Sequence, residues 1–301
     1  MRSSKIIVIG SSNTDMVIKT ETLPLPGETK LGGDFFMNAG GKGANQAVAV
    51  ARIGGNVTFV TKLGKDIFGR FAIDSFKKEN INTRYVLIDE EAPSGVALIM
   101  VDKEGENCIA VASGANAKLS PSDINAIKNL TEAEIILIQL EIPIETITAI
   151  VNKAKSNNQK VILNPAPAQK LDDELLNGLF LITPNETEAS LLTGIAVKDE
   201  VTASHAASVL LGLGVQNVII TMGASGAYVL SGEISRMVPV KSVKAIDTTA
   251  AGDVFNGALA VALCEGKNIE DAVVFANKAA AISVTRIGAQ SSIPYRKELF
   301  C

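Results

Sequence analysis

Short apolar runs recur along this chain with helix-patterned segments between them, and that alternation limits the folds open to it. Lys5–Ile9, Val57–Thr61, Ile135–Leu140, Lys160–Leu163, Leu179–Ile182 and Asn217–Thr221 each have strand length. Helical spacing covers Ala44–Ile53, Phe68–Glu79, Ser120–Leu130, Asp253–Glu265 and Asn268–Thr285, as well as 144–155 and 200–212. Gly54-Gly55 and Gly266 close helices, and Pro121 opens one. Strands that read as near-continuous apolar runs are buried on both faces, which is the habit of parallel sheets. Strands alternating with helices put the helices on both sides of one such sheet. The expected fold is therefore α/β: a doubly wound, mostly parallel sheet flanked by helices. Two further strands, Ala227–Leu230 and Arg236–Val240, follow a tight turn at Met222–Gly226. With 301 residues, no repeat and no low-complexity linker, one main domain over 1–301 is expected.

Two stretches break the rhythm. Between 16 and 37, the strand-like pieces Met16–Lys19, Thr29–Leu31 and Asp34–Met37 are separated by Leu23-Pro-Leu-Pro-Gly27 and Gly32-Gly33. Between 94 and 112, Ser94–Val101 and Asn107–Ala112 flank Asp102–Glu106, a hairpin signal. The two insertions are expected to meet as a small separate sheet that forms a lid over an active site. An exposed apolar face on that sheet would favour a homodimer.

Composition removes several classes of function. Aromatic residues are only 4% of the chain and Trp is absent, so an aromatic stacking surface is not indicated. The net charge is −4, the pI is about 5.3 and no basic cluster occurs, which argues against a nucleic-acid partner. The first apolar run, Ile6–Ile9, is too short for a signal or membrane segment, so no membrane partner and a cytoplasmic location are expected. Cys108, Cys264 and Cys301 lie far apart, which fits a reducing compartment and not a cysteine metal site. The single histidine, His205, falls in a helical pattern and reads as structural, so neither a Ser-His-Asp triad nor a multi-histidine zinc site is available.

The polar residues gather where strands end, and open α/β sheets bind ligands there. Gly10-Ser-Ser-Asn13-Thr-Asp15 follows the first strand without the G-x-G-x-x-G fingerprint of dinucleotide sites. Asn13 and Asp15 are two apart; in an extended segment they share a side and could take sugar hydroxyls, and otherwise they form a polar turn. Asn38–Gln46 holds Gly41, Lys42, Gly43 and Asn45 but no Walker A spacing. It reads as a close backbone approach to a ligand or as a structural turn. Glu141 stands at the end of the Ile135–Leu140 run. Asn185 and Glu188, three apart at a strand-to-helix turn, could organise waters around magnesium or could simply cap a helix.

One stretch stands apart: Asp247-Thr-Thr-Ala-Ala-Gly-Asp253 runs into a helix. Ala250, Ala251 and Gly252 are small, so an anion could approach their N–H groups at the helix start. A carboxylate at such a place suits a base beside a transferred phosphoryl group, and it also suits an ordinary N-terminal cap. If the strand ends converge, Asn13, Asp15, Gly41, Lys42, Asn45 and Glu141 make a polar acceptor pocket. Asn185, Thr221–Gly226 and Gly252 make a phosphate-bearing half, with Asp253 between the two.

In these segments the chain resembles the ribokinase (PfkB) family of carbohydrate kinases. The matching stretches are Gly10–Asp15, Gly40-Gly-Lys-Gly-Ala-Asn-Gln46, Gln139-Leu-Glu141, Thr183-Pro-Asn-Glu-Thr-Glu188, Asp247–Asp253 and Thr285-Arg-Ile-Gly-Ala-Gln290. They span nearly the whole chain in the family's order. The resemblance implies D-ribose and ATP as substrates, with transfer to the sugar's O5. It implies Asp253 as base and Ala250, Ala251 and Gly252 as anion hole. It implies Asn13, Thr14, Asp15, Gly41, Lys42, Gly43, Asn45 and Glu141 as sugar ligands. The ATP site it implies is Asn185, Thr221, Gly223, Ala224, Ser225, Gly226, Gly252 and Asn277, with Glu188 holding Mg²⁺ through water. Asp247, Thr249, Ser283, Arg286, Gly288 and Ser292 are implied as a K⁺ site made largely of backbone oxygens. The lid is implied as the contact of a homodimer. Deoxyribose, fructose or a nucleoside are the alternative acceptors, and a non-catalytic sugar-binding protein is the alternative outside the enzymes. Asn277 lies where the family varies, and Cys301 is assigned no role.

Overall fold

The computed structural model describes residues 5–300 except 128, 129, 131 and 233. In chain order the strands are β1 (Lys5–Ile9), β2 (Asn13–Lys19), β3 (Asp34–Gly40), β4 (Asn56–Gly64), β5 (Asn82–Asp89), β6 (Gly95–Val101), β7 (Asn107–Ala112), β8 (Ile135–Gln139), β9 (Lys160–Asn164), β10 (Leu181–Ile182), β11 (Val218–Thr221), β12 (Ala227–Ser231) and β13 (Ile234–Val238). The helices are α1 (Lys42–Arg52), α2 (Ile67–Lys78), α3 (Pro121–Asn125), α4 (Ile144–Lys155), α5 (Asp173–Leu176), α6 (Glu186–Thr193), α7 (Glu200–Gly212), α8 (Ala251–Cys264) and α9 (Ile269–Ser283).

Nine strands make the main sheet, in the order β13-β12-β11-β10-β9-β8-β1-β4-β5. Every paired neighbour is parallel except β12, which runs against both β11 and β13. The chain winds outward from β1 in two directions, through β4 on one side and β8 on the other. The crevice beyond the end of β1 is thus a switch point, where open sheets take their ligands. Alternate side chains of the central strands face opposite layers. Ile6 and Val8 pack with α1, α8 and α9, while Ile7 and Ile9 pack with α4 and α7. Helix α8 is buried from Asp253 to Leu263, so its two polar side chains, Asp253 and Asn256, need partners inside the protein.

The two insertions pair in one separate sheet, ordered β3-β2-β6-β7. It begins at Asn13, so Asn13 and Asp15 lie in an extended strand and not in a polar turn. Thr29–Leu31 forms no strand; it lies in a connection holding Pro24, Pro26, Gly27, Gly32 and Gly33, which cannot sustain a ladder. The expected helix over 120–130 shrinks to α3, capped by Ser120 and opened by Pro121, and positions 128 and 129 lie outside the described residues. Cys301 lies outside them too. Strand β5 was not anticipated. Its sequence, Asn-Thr-Arg-Tyr-Val-Leu-Ile-Asp, mixes polar and apolar residues because β5 is the half-exposed edge of the main sheet. Helix α8 starts two residues before Asp253. Among the described residues no helix is long and apolar enough to cross a membrane.

Candidate active site

Two glycines press the start of α1 against the end of β1. A Cβ on Gly43 would lie 2.6 Å from the carbonyl carbon of Gly10, and the Ala44 N–H donates to Ser11 O at 2.8 Å. Gly41, just before the helix, has φ +88°, a conformation that favours glycine. Glu141, two residues beyond β8, is drawn into this junction: one of its oxygens accepts the Lys42 N–H at 3.0 Å and the Ser11 hydroxyl at 2.5 Å. From the small sheet, Asn13 reaches the same place, its Oδ1 held by the Asn116 amide at 2.8 Å. Asp15 lies two residues on, over Gly40, where a Cβ would meet its Oδ2 at 2.1 Å. Thr14 alternates to the opposite face of β2, so its side chain stands apart from Asn13 and Asp15. Burial, with help from the nearby charge of Glu141, pushes the Asp15 carboxyl up to about 6. A cavity of about 430 Å³ opens here, lined among others by Ser11, Asn13, Asn116 and Glu141.

Asp253 occupies the first turn of α8 and is 5% exposed. The Asn45 amide donates to its Oδ2 at 2.9 Å, and the Gln46 amide donates to its Oδ1 at 2.9 Å. Burial raises its pKa against the opposing pull of the Lys42 charge and of these two amides. For Lys42, burial works the other way. The carboxylates of Asp253, Glu141 and Glu188 outweigh it and raise the ammonium's pKa. Ala250, which caps the helix, has φ +61°, a left-handed conformation that costs a residue with a Cβ about 1–2 kcal/mol. That conformation turns the chain into α8, where the N–H groups of the first turn have no helical partner. The Ala251 N–H is the exception within the expected anion hole, since it closes a turn onto Thr248 O at 3.2 Å.

Two cavities meet at that helix start. One, of about 210 Å³, is lined by Lys42, Glu188, Ala250, Gly252 and Asp253 among others. The other, of about 530 Å³, lies between β11, the 240–245 segment and α9, and is lined by Thr221, Gly223, Ala224, Gly226 and Asn277. Asn185, Thr221, Ala251 and Gly252 border both. Ser225 is not among the lining residues. Asn277 is, though its amide donates to Val238 O at 3.1 Å. Asn185 and Glu188 make a full capping box on α6, so the helix-cap reading describes what their side chains do. Glu188 uses Oε2 in that box, and burial raises its pKa despite the bond from Asn185.

Of the six residues expected around a monovalent cation, Asp247 joins two loops. Its Oδ1 accepts the Thr249 N–H at 2.9 Å and its Oδ2 the Gly288 N–H at 2.8 Å. These bonds outweigh the cost of burial and lower its pKa. Ser283 and Ser292 donate to the carbonyls of Ala280 and Ala289, and Arg286 pairs with Glu298.

Sequence reasoning passed over the polar residues that hold this site from behind. Ser11 and Asn116 support Glu141 and Asn13. Gln46 and Asn164 lie beside Asp253, and Thr183 and Asn256 link β10 to α8 at 2.6 Å. The available signal was modest: Gln46 is an amide in α1 just before a run, Ala47–Ala51, that holds only Ala and Val.

The chain matches the family model of the pfkB family carbohydrate kinases over residues 3–296. It is 46% identical to a ribokinase of Haemophilus influenzae, over 97% of this chain and 96% of that one. It is also 40% identical to a deoxyribokinase of Salmonella typhi, over 96% and 95% of the two chains. The structure of an Arabidopsis thaliana ribokinase complexed with ribose and ATP superposes with a TM-score of 0.93 at 33% identity, covering 100% of this chain and 98% of that one. A switch-point crevice with a buried aspartate between a polar pocket and a glycine-lined cleft, matched over nearly its whole length by these relatives, places the chain in the pfkB family of carbohydrate kinases.

Proposed function

We propose that this protein transfers the γ-phosphoryl group of ATP to O5 of D-ribose, giving ribose 5-phosphate and ADP. The observation that carries the proposal is the position of Asp253, an anion-ready helix start with a polar pocket on one side and a 530 Å³ cleft on the other. Asn13, Asp15 and Glu141 offer carboxylate and amide groups that suit a small, hydroxyl-rich sugar. The cleft beside Asn277 takes the nucleotide, with its phosphates toward Gly252. Asp253 accepts the proton of the attacking hydroxyl, and its two amide donors keep a carboxylate oxygen aimed at that proton. The N–H groups at the start of α8 receive charge that develops on the phosphoryl oxygens.

A divalent ion entering with the nucleotide supplies charge neutralisation on the phosphates. Glu188 suits it as an outer ligand through water, since its second oxygen is not used by the capping box. Among the described residues there is no group of three or more His, Cys, Asp or Glu side chains that could hold a metal. K⁺ is the proposed activator at the Asp247 and Gly288 loops. The small sheet is the proposed lid and the dimer contact, and the cytoplasm is the proposed location.

The deoxyribokinase relative favours deoxyribose as a second reading. The test is ATP-dependent phosphorylation of ribose, deoxyribose, fructose and adenosine, compared as kcat/KM. Ribose is expected to lead, and a higher kcat/KM for deoxyribose replaces the substrate without changing the chemistry. Asp253→Asn is expected to retain both substrates and to lose about 10²–10⁴-fold in turnover.

A further inference from the structure

We propose that Gln46 is a positioning residue for phosphoryl transfer, holding the Asp253 carboxylate in one orientation while Gln139 and Asn164 lock the Gln46 amide itself. The proposal rests on the reading of Asp253 as the base and adds the device that aims it.

Gln46 is fully buried and lines neither the sugar-side cavity nor the two at α8. Its Nε2 lies 2.9 Å from Asp253 Oδ1 and 3.0 Å from Asn164 Oδ1. Its Oε1 accepts from Gln139 Nε2 at 2.5 Å. Asn164 passes its own amide on to Thr183 O at 3.3 Å. Gln139 Oε1 fills the space that Gly10 leaves open, where a Cβ would stand 2.0 Å from it, and this oxygen has no hydrogen-bond partner among the described residues.

The donors in this chain of amides all point the same way. Reversing Gln46 would set its carbonyl against two oxygens, and its NH₂ against the NH₂ of Gln139. An ionised carboxylate only accepts hydrogen bonds, so the arrangement suits Asp253 in its charged form. Asn45 serves the other oxygen from the same helix. Each carboxylate oxygen thus has one fixed donor and keeps a lone pair for a substrate hydroxyl. Without Gln46, Oδ1 would be a buried anionic oxygen lacking its donor, and Asn45 alone would hold the carboxylate.

The test is kcat against pH from 5 to 9 for the native enzyme and for Gln46→Leu, Gln46→Glu and Gln139→Met, with thermal unfolding alongside. The acid limb of kcat is expected to move up by about 1–2 pH units in Gln46→Leu, the size of one lost bond to a charged acceptor. Gln46→Glu is expected to move it further, because two carboxylates at hydrogen-bond distance share a proton. Gln139→Met, which does not touch Asp253, is expected to move it in the same direction by less. KM for ribose is expected to stay within about threefold in all of them, since Asn13, Asp15 and Glu141 are untouched. A lowered melting temperature with the acid limb unmoved overturns the proposal and leaves Gln46 as packing. If Gln46→Leu does not fold, the other two variants decide by the same criterion. Asp253→Asn separates the two readings. Near-native turnover in it overturns the base assignment, whereas a dead Asp253→Asn with unmoved limbs in the Gln variants overturns only the positioning role.

Discussion

Asp15 sits where its charge costs stability. Half-buried beside Glu141, it titrates at about 6 in the folded protein against an ordinary 3.8. A carboxyl raised in this way binds more protons folded than unfolded between those two values. Its contribution to stability is therefore fully present below pH 4 and lost as the pH rises through 6. The cost at neutral pH is at most about 3 kcal/mol. Asp15→Asn is expected to be more stable than the native protein at pH 7 and no more stable at pH 4, as urea unfolding at the two values will show. The native kcat/KM for ribose is expected to fall below pH 6 as this acceptor protonates, and the variant should lose that limb along with most of its ribose affinity. A variant that keeps both the limb and the affinity contradicts the assignment. Asp15, Asn13, Lys42 and Glu141 were legible in the sequence because they interrupt apolar or glycine-rich runs at strand ends. Gln46, Asn164 and Asn256 were not. A buried amide inside an amphipathic segment looks like any polar position until its partner is known, and the side-chain partners of these three lie 73 to 207 residues away in sequence.

Elements, not residues, bring the groups into range, and here the glycines are decisive. At Gly43 an added Cβ would meet Gly10 and Ser11 backbone atoms at 2.6 Å, and backbone cannot rotate aside. Gly43→Ala is expected to cost about 1–3 kcal/mol in unfolding experiments. It should lower turnover as well, because α1 carries Lys42, Asn45 and Gln46 together. Native stability in that variant contradicts the close approach of β1 and α1. At the other end of the site, Asp247 ties the 247–249 loop to Gly288, and Ile246 N–H donates to Val284 O at 2.7 Å. A large monovalent ion bound to carbonyls of these loops would steady the turn through Ala250, whose strained φ needs such support. Activity is expected to rise with K⁺ and not with Na⁺ at equal ionic strength, and Asp247→Ala should abolish the difference; equal rates in the two salts would remove the cation site. The start of α8 was misjudged from sequence by two residues. An alanine in the left-handed region leaves no compositional trace, whereas Gly41 announced its turn.

At the scale of the whole molecule, the winding of the main sheet was legible because apolar runs and helical patterns alternate with little interruption. The pairing of the two insertions was legible only as an outcome, since register depends on contacts such as Gly40 against Asp15 that no local pattern encodes. That register now separates the two faces of the small sheet. Asn13, Asp15 and Val17 share one face, and Val17 is buried. On the other face, Met37, Met16, Leu98 and Ala110 form one cross-strand row, and Phe35, Ile18, Met100 and Cys108 form the next. Phe35, Met37 and Leu98 are each more than half exposed, at 61%, 54% and 56%. An apolar patch of this kind, on a sheet whose opposite face carries the proposed sugar ligands, suits a second copy of the chain packed back to back. The partner would then hold the lid sheet at a fixed angle while the sugar face closes over the pocket. Sedimentation is expected to give a dimer for the native protein and a monomer for Phe35→Asp/Leu98→Asp. The monomer should lose affinity for ribose more than for ATP, because Asn13 and Asp15 belong to the small sheet whereas the nucleotide cleft is built on the main one. A native monomer, or a charged variant that remains dimeric, rules out this face as the contact. A monomer with unchanged ribose affinity would leave the dimer in place but separate it from the lid.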